Sequence, residues 1–183
     1  MTTIKGLSRL ELGALIASTL RKHQIDVVLS GGSCVSIYSS ERYVSKDLDF
    51  IDVSLKSKQA IGKALNDIGF KNFPKNSRHF MHPDTALTVE FSSAPLAIGD
   101  EHIPSSSAAE IETDVGILRL LSPTDCIKDR LANYYYFGDR QCLDQALLVA
   151  KSHPVNFKSL KAWHVNEGQE DKYDKFMRLF SMR

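Results

Sequence analysis

Two aspartates in the first third of the chain, Asp47 and Asp49, have the spacing of a paired carboxylate site. They alternate with Leu48 and Phe50, and this alternation predicts a β-strand in which residues i and i+2 point to one face. The two carboxylates would then lie side by side, with the apolar residues pointing into the core. Neighbouring carboxylates repel each other unless a cation lies between them, and Mg²⁺ prefers a few carboxylates together with phosphate oxygens and water. The pair therefore predicts a site for Mg²⁺ (or Mn²⁺).

A glycine pair precedes the aspartates. It follows the apolar segment Ile25–Leu29, which predicts a short buried strand. Gly31 and Gly32 permit positive φ angles and let a phosphate-sized group approach the backbone. The segment Ser33–Tyr38 has helix-compatible spacing, and N–H groups at the start of a helix can face an anion. The segment therefore predicts a turn that can receive phosphate.

This order of a strand, a Gly-Gly-Ser turn, a short helix and an Asp-x-Asp strand resembles the nucleotidyltransferase (polymerase beta-like) superfamily. The superfamily adds a third carboxylate on a later strand, and Glu90 lies in the strand-like segment Ala86–Ser92. The closest similarity is to small bacterial proteins related to the nucleotidyltransferase toxins of type IV toxin–antitoxin systems, and it extends through residues 95–99 and 122–131. The residues that fit, in the superfamily's order, are Gly31, Gly32, Ser33, Asp47, Asp49 and Glu90.

The resemblance implies a metal-dependent transfer of a nucleotidyl group from a nucleoside triphosphate (NTP) to an acceptor hydroxyl. Asp47 and Asp49 would hold the metal, and Glu90 would complete a second metal site or act as the base for the hydroxyl. The backbone N–H groups of the glycine pair and the Ser33 hydroxyl would hold the β- and γ-phosphates. Lys128 matches the position from which a lysine of the toxin-like relatives reaches the triphosphate, although it could equally be an exposed helix charge.

The acceptor and the partners are less defined by the sequence. Acceptors of such relatives include tRNA 3′ ends, protein hydroxyls and small molecules such as aminoglycosides, and no residue of this chain chooses among them. An antitoxin partner is implied only by the resemblance to toxins. The helical C-terminal part could also form a homodimer surface.

Two other interpretations of the same residues are open. The chain could be a non-catalytic protein that keeps the fold and binds a nucleotide or a partner, although the complete set of three carboxylates argues against this. It could also be an α/β domain in which Asp47 and Asp49 face solvent on an edge strand and the glycine pair is only a turn. Because Asp is disfavoured in strands, the three aspartates within residues 46–52 favour a functional site.

The elements that must position these residues alternate between strands and helices up to Leu121 and are helical after it. The predicted fold class is therefore α/β (α+β), a nucleotidyltransferase-like mixed β-sheet flanked by helices, with a helical C-terminal part. We predict a single domain over residues 1–183, in which residues 1–121 carry the site and residues 122–183 form the helical part. Further predicted helices are Ser8–His23, one from Ser54 or Ser57 to Gly69, one from Ser122 to about Tyr136, Arg140–Ser152, Asn156–Asn166 and Glu170–Phe180. Further predicted strands are Phe70–Phe73, Phe80–His82, Leu87–Phe91, Ile111–Thr113 and Gly116–Leu121, and residues 97–107 are predicted as a loop.

Several other side chains receive a structural interpretation. The aromatic segment 134–137 could stack a base, but a run at a helix end more often packs in the core, and we favour packing. The histidines, including His79, lack paired ligand spacing and are predicted as surface residues. Asp52 is predicted to cap the end of its strand.

The bulk composition supports one ordinary globular domain. The chain has 183 residues, of which 43% are hydrophobic and 25% charged. Its net charge of +1 gives no whole-protein argument for nucleic acid. No apolar segment approaches the roughly 20 residues that span a membrane, so no membrane partner is expected. The three cysteines fit no zinc pattern, and a reducing, cytoplasmic location is expected.

Overall fold

The computed structural model describes residues 3–73 and 77–182. Within them, the helices are α1 (Arg9–Lys22), α2 (Gly31–Tyr38), α3 (Lys58–Asn66), α4 (Pro123–Phe137), α5 (Arg140–Ser152), α6 (Phe157–Asn166) and α7 (Glu170–Ser181). The strands are β1 (Val27–Ser30), β2 (Asp47–Asp52), β3 (Lys71–Asn72), β4 (His79–Met81), β5 (Thr88–Ser93), β6 (Ala97–Ile98), β7 (Glu101–His102), β8 (Ala109–Thr113) and β9 (Gly116–Leu120).

The main sheet is mixed and has the strand order β3-β4-β5-β2-β1-β9-β8. β2 pairs antiparallel with β1 and parallel with β5, and β1 pairs parallel with β9. Helices flank this sheet, and α4 to α7 follow the last strand in sequence. The predicted α/β class, with a mixed sheet flanked by helices and a helical C-terminal part, is confirmed.

One face of the sheet packs against α1 and α3 and forms much of the core. Leu29, Phe50 and Phe91 lie opposite one another on β1, β2 and β5, and all are buried. The Phe50 and Phe91 rings stack with centroids 5.8 Å apart. Burying one such side chain contributes about 1.5–3 kcal/mol, so this face fixes the register of the strands. The residues between them, including Asp49, must point to the opposite face.

The two longer helices of the N-terminal half cover the core face. α1 lies against β9, with Gly13 next to the Leu118 side chain, and α3 lies against α1 and β3, with Gly62 next to the Phe80 ring. The predicted start of α1 is correct, since the Ser8 side chain caps the helix and the Glu11 carboxylate accepts from the Ser8 backbone N–H at 2.8 Å.

The C-terminal helices attach to the other side of the molecule through α2, which contacts β2, α4 and α5. α4 begins as predicted, with Ser122 as N-cap and Pro123 at its first position, and ends at Gly138, whose φ is +71°. The buried Trp163 indole donates to the Ile98 carbonyl at 3.2 Å and so ties α6 to β6. The Tyr135 ring stacks on Trp163, so this residue packs as predicted, whereas Tyr136 and Phe137 at the end of the aromatic segment are exposed.

The structure differs from the sequence-based expectations at three places. Residues 97–107, expected as a loop, contain the β6–β7 hairpin and a 3₁₀ turn, because two-residue strands are too short to show a period. α2 begins at Gly31 rather than at Ser33. The strand expected over Phe70–Phe73 is limited to β3, and the proline and asparagine expected in the turn after it lie outside the described residues.

Two further expectations concern the capping role of Asp52 and membrane-spanning helices. Asp52 accepts from the backbone N–H groups of Ser54 and Lys56, at 2.9 and 2.6 Å, and so caps the end of β2 as expected. Across residues 3–73 and 77–182, no helix combines the length and apolar character that crossing a membrane requires.

Candidate active site

Four polar residues form a straight row across the face of the sheet opposite the core. Ser30, Asp49, Glu90 and His79 lie directly opposite one another on β1, β2, β5 and β4. Strands in a sheet are about 4.8 Å apart, so the row is about 14 Å long. Asp47 lies on the same face, two residues before Asp49. The sheet register therefore brings the three predicted carboxylates to one place, although they are distant in sequence.

The electrostatics of Asp49 show that this arrangement is unfavourable without a cation. Burial raises the pKa of Asp49 to about 6, and the charges of Glu90 and Asp47 act in the same direction. The positive charge of Arg130 lowers this pKa, and the charge of Asp129 raises it again. The nearby cation thus compensates the carboxylates only in part.

The donor set fits a hard divalent cation. Such a cation takes carboxylate oxygens as ligands and would neutralise the repulsion that raises the pKa of Asp49. Among the residues that the structure describes, no three His, Cys, Asp or Glu side chains have the geometry of a formed metal centre. Glu90 Oε1 instead contacts Nδ1 of His79 at 2.5 Å. Asp47, Asp49 and Glu90 are therefore the candidate metal ligands, and one carboxylate oxygen of Glu90 is already in contact with His79.

The glycine turn approaches the carboxylates closely. Gly31 has φ +70°, and a Cβ at this position would overlap the Asp49 carboxylate. At Gly32 a Cβ would lie 3.2 Å from the Tyr43 ring. Ser30, the N-cap of α2, makes no side-chain capping bond. The first turn of α2 therefore lies beside Asp49 without a side-chain cap from Ser30, which is the arrangement expected of a phosphate-binding turn.

Ser33 has a different surrounding from the one expected. Its side chain is fully buried, and its hydroxyl donates to the Asp47 carbonyl and accepts from Arg9 Nη1 at 3.0 Å. The hydroxyl is thus engaged within the fold, where it joins α2 to the start of β2. In this structure the Ser33 hydroxyl therefore positions the aspartate strand.

Arg9 is a residue of this frame that the sequence analysis missed. It is 7% exposed and donates to the Ser33 hydroxyl and, at 2.8 Å, to the Ser45 carbonyl. Its Nε lies 3.0 Å from a carboxylate oxygen of Glu41. A charged residue in the first turn of an amphipathic helix usually faces solvent, so the sequence carried no signal for this buried position.

Lys128 and Arg130, both on α4, have different partners in the structure. Lys128 is 2% exposed, and its ammonium lies 2.7 Å from Glu101 Oε2 and 3.5 Å from Asp125 Oδ1. Arg130 pairs with Asp129 and is the cation whose charge acts on Asp49. Residues two positions apart on a helix point in different directions, which is why Lys128 and Arg130 have different partners.

A mixed sheet with an Asp-x-Asp strand beside a glycine turn, and a third carboxylate on the parallel neighbouring strand, defines a nucleotidyltransferase-like fold. Solved structures confirm it. An antigenic nucleotidyltransferase-like protein from Paracoccidioides brasiliensis is similar with a TM-score of 0.58 and 14% identity, over 78% of this chain and 76% of that chain.

The antibiotic-resistance factor ANT(2'')-Ia is also similar. Its solution structure gives a TM-score of 0.51 at 14% identity, over 90% of this chain and 91% of that chain. Its crystal structure in complex with adenylyl-2''-tobramycin gives 0.51 at 13% identity, over 90% and 92%. The sequence itself matches no protein-family profile and no curated protein. At these identities the likeness concerns the fold.

Proposed function

We propose that this protein is a metal-dependent nucleotidyltransferase that transfers a nucleotidyl group from an NTP to an acceptor hydroxyl. The observation that carries the proposal is the row of Asp49 and Glu90 on parallel strands, with Asp47 on the same face and the first turn of α2 beside it. The raised pKa of Asp49, caused by burial and by the other two carboxylates, supports a site that needs a cation.

Each residue has a role in this proposal. Asp47 and Asp49 hold Mg²⁺ or Mn²⁺, which supplies charge neutralisation and alignment of the triphosphate when bound. The backbone N–H groups of Gly31 and Gly32 receive phosphate oxygens. Glu90 supplies the third carboxylate, either toward a second metal or as the base for the acceptor hydroxyl.

The cations of α4 have separate roles. Arg130 is fixed by Asp129 and offsets part of the negative charge around Asp49. Lys128 stays a predicted triphosphate ligand, and it would have to leave Glu101 to reach the nucleotide. Both Lys128 and Arg130 would attract a bound polyanion. The charge of Arg130, however, already acts on the carboxylate of Asp49.

The acceptor in this proposal is an RNA 3′ end, a protein or a small molecule. The complex of ANT(2'')-Ia with adenylyl-2''-tobramycin supports keeping small molecules among the acceptors. The similarity of the motif to type IV toxins supports a role in a toxin–antitoxin pair, with an antitoxin as partner. A homodimer and a cytoplasmic location are further predictions from the sequence.

A thermal-shift titration of the wild type with each NTP, with and without Mg²⁺ or Mn²⁺, tests the proposal. Ligand bound to the folded state at 100 times its dissociation constant stabilises by about 2.7 kcal/mol. We expect a metal-dependent rise for at least one NTP, lost in Asp49→Asn and kept in the control Asp26→Asn, an exposed aspartate beside Arg21. A wild type that no metal–nucleotide combination stabilises would favour a non-catalytic protein that keeps the fold and binds a partner.

A further inference from the structure

His79 occupies the outer end of the polar row. It lies directly opposite Glu90 in the antiparallel β4–β5 pair, so both side chains leave the same face of the sheet. Its Nδ1 is 2.5 Å from Glu90 Oε1. This distance lies within the range of an ion pair, so the imidazole is in direct contact with the carboxylate.

Glu90 needs such a partner. Its inner neighbour in the row is Asp49, one strand away, and the charge of Glu90 raises the pKa of Asp49. A glutamate side chain has three rotatable bonds, so repulsion from Asp49 could turn it away from the site. A group on the outer side that engages one oxygen fixes the side chain and leaves Oε2 for the site.

We propose that His79 is a positioning residue for Glu90 in the metal–nucleotide site. It acts through the carboxylate and not by touching the nucleotide. Ligating carboxylates are commonly held by a second hydrogen-bonding group, and removal of that group typically weakens metal affinity by about 10- to 100-fold. The inference rests on the proposed function, because it assigns His79 to the same site.

Because the His79–Glu90 pair is exposed, the effect of His79 on metal binding can be measured separately from its effect on the stability of the fold. The His79 and Glu90 side chains are 43% and 35% exposed. Exposed ion pairs contribute little to folding. Loss of His79 should therefore leave the fold intact, while the effect on metal binding is at least about tenfold.

The test measures the dissociation constant of the Mn²⁺–NTP complex from the protein by isothermal titration calorimetry, with the complex formed before it is added. The variants are His79→Ala, His79→Asn, Glu90→Gln and the double variant Glu90→Gln/His79→Ala. The amide nitrogen of asparagine can take the place of Nδ1, so His79→Asn is the conservative variant. The matched control is His23→Ala, because His23 Nε2 makes a similar exposed contact to Asp67 at 2.8 Å, between α1 and the end of α3.

We expect His79→Ala to weaken binding of the Mn²⁺–NTP complex at least about tenfold, as Glu90→Gln does, and His79→Asn to restore most of it. In the Glu90→Gln background, His79→Ala should add no further loss, because the histidine acts only through the carboxylate. His23→Ala should bind the Mn²⁺–NTP complex as the wild type does.

The outcomes separate the two proposals. If the wild type binds no Mn²⁺–nucleotide, the proposed function fails and this inference fails with it. If the wild type binds and Asp49→Asn does not, the metal–nucleotide site on which the proposed function depends stands. The role of His79 is then overturned by an unchanged affinity of His79→Ala, by no recovery in His79→Asn, or by a further loss in the double variant.

Discussion

The position of Asp49 suits the proposed site but is unfavourable for the stability of the fold. Its neighbours on the core side, Leu48 and Phe50, must be buried, and this forces the aspartate onto the face where Glu90 also points. Burial and like charge then raise its pKa to about 6. In the proposed function a bound cation offsets the repulsion between the carboxylates. The loss of stability at Asp49 is therefore expected only in the unliganded protein.

The first prediction concerns pH and stability. Because the folded-state pKa of Asp49 lies above the ordinary value of 3.8, the folded protein binds more protons than the unfolded chain between these values. The free energy of unfolding should therefore fall as pH rises from about 4 to about 6, by up to about 3 kcal/mol. Asp49→Asn removes this loss and should be more stable than wild type by about 1–3 kcal/mol near pH 8, and equal to it near pH 4.

Urea denaturation of the unliganded proteins across this pH range measures the difference. Asp26→Asn, at an exposed carboxylate, serves as the control. An Asp49→Asn protein that is less stable than wild type near pH 8 would contradict the assignment of a penalty to this residue.

The second prediction concerns Gly31. Gly31→Ala and Gly168→Ala both place a side chain at positive φ, +70° and +64°, which costs about 1–2 kcal/mol. Around Gly168 no atom lies within 4 Å of the added Cβ, whereas at Gly31 the Cβ overlaps the Asp49 carboxylate. Gly31→Ala should therefore lose more stability than Gly168→Ala and should also lose the metal–nucleotide thermal shift. Equal stability and equal shifts in the two variants would show that the turn does not depend on this close approach.

At the scale of the elements, the site is a junction of α1, α2 and β2. Arg9 joins them, because it leaves α1, donates to Ser33 on α2 and donates to the carbonyl of Ser45 just before β2. Ser33 in turn donates to the Asp47 carbonyl. Strand β2 is thus held in place by α1, a helix that carries none of the proposed ligands.

The third prediction tests this junction. Arg9→Met should cost about 2–4 kcal/mol of stability, because it removes a buried charge that satisfies several acceptors, and it should weaken metal–nucleotide binding. Arg9→Lys should be intermediate, since one ammonium cannot reach all the partners of a guanidinium. Urea denaturation and the thermal-shift assay measure both effects.

The control lies on the same helix. Arg21→Met removes a side chain that is 45% exposed and lies 3.5 Å from Asp26, so it should cost less than about 1 kcal/mol. If Arg9→Met were as mild as Arg21→Met, the junction would not depend on Arg9.

The elements could largely be predicted, because their signals are local. The capping box at Ser8 and the Ser122-Pro123 start depend on residues within one turn, and the alternation of β2 is visible in six residues. The cross-strand register could not be predicted, since it depends on which strands become neighbours. For that reason no local pattern could predict the contact of the surface residue His79 with Glu90 or the burial of Arg9.

At the scale of the whole molecule, the prediction of a single domain implies that residues 1–121 and residues 122–183 unfold together. The only tryptophan, Trp163, lies in the helical part and bonds to Ile98 in the hairpin of the other part. α2 also contacts α4 and α5. We expect both parts to unfold together because they share buried contacts.

The fourth prediction follows from this contact. Urea unfolding followed by Trp163 fluorescence and by far-ultraviolet circular dichroism should give coincident transitions with one midpoint. Two separate midpoints would show that residues 1–121 and 122–183 unfold independently.

The polar row also runs from the interior of the sheet to its margin. β1 and β2 have strands on both sides, whereas β4 has three residues and only the two-residue β3 beyond it. Amides at a sheet margin exchange through local openings that need less free energy than global unfolding. Deuterium should therefore enter β4 before β5, and β5 before β2 and β1. A nucleotide that engages the row should slow this exchange most at its outer end, so the order of labelling reports occupancy of the site even when no acceptor is known.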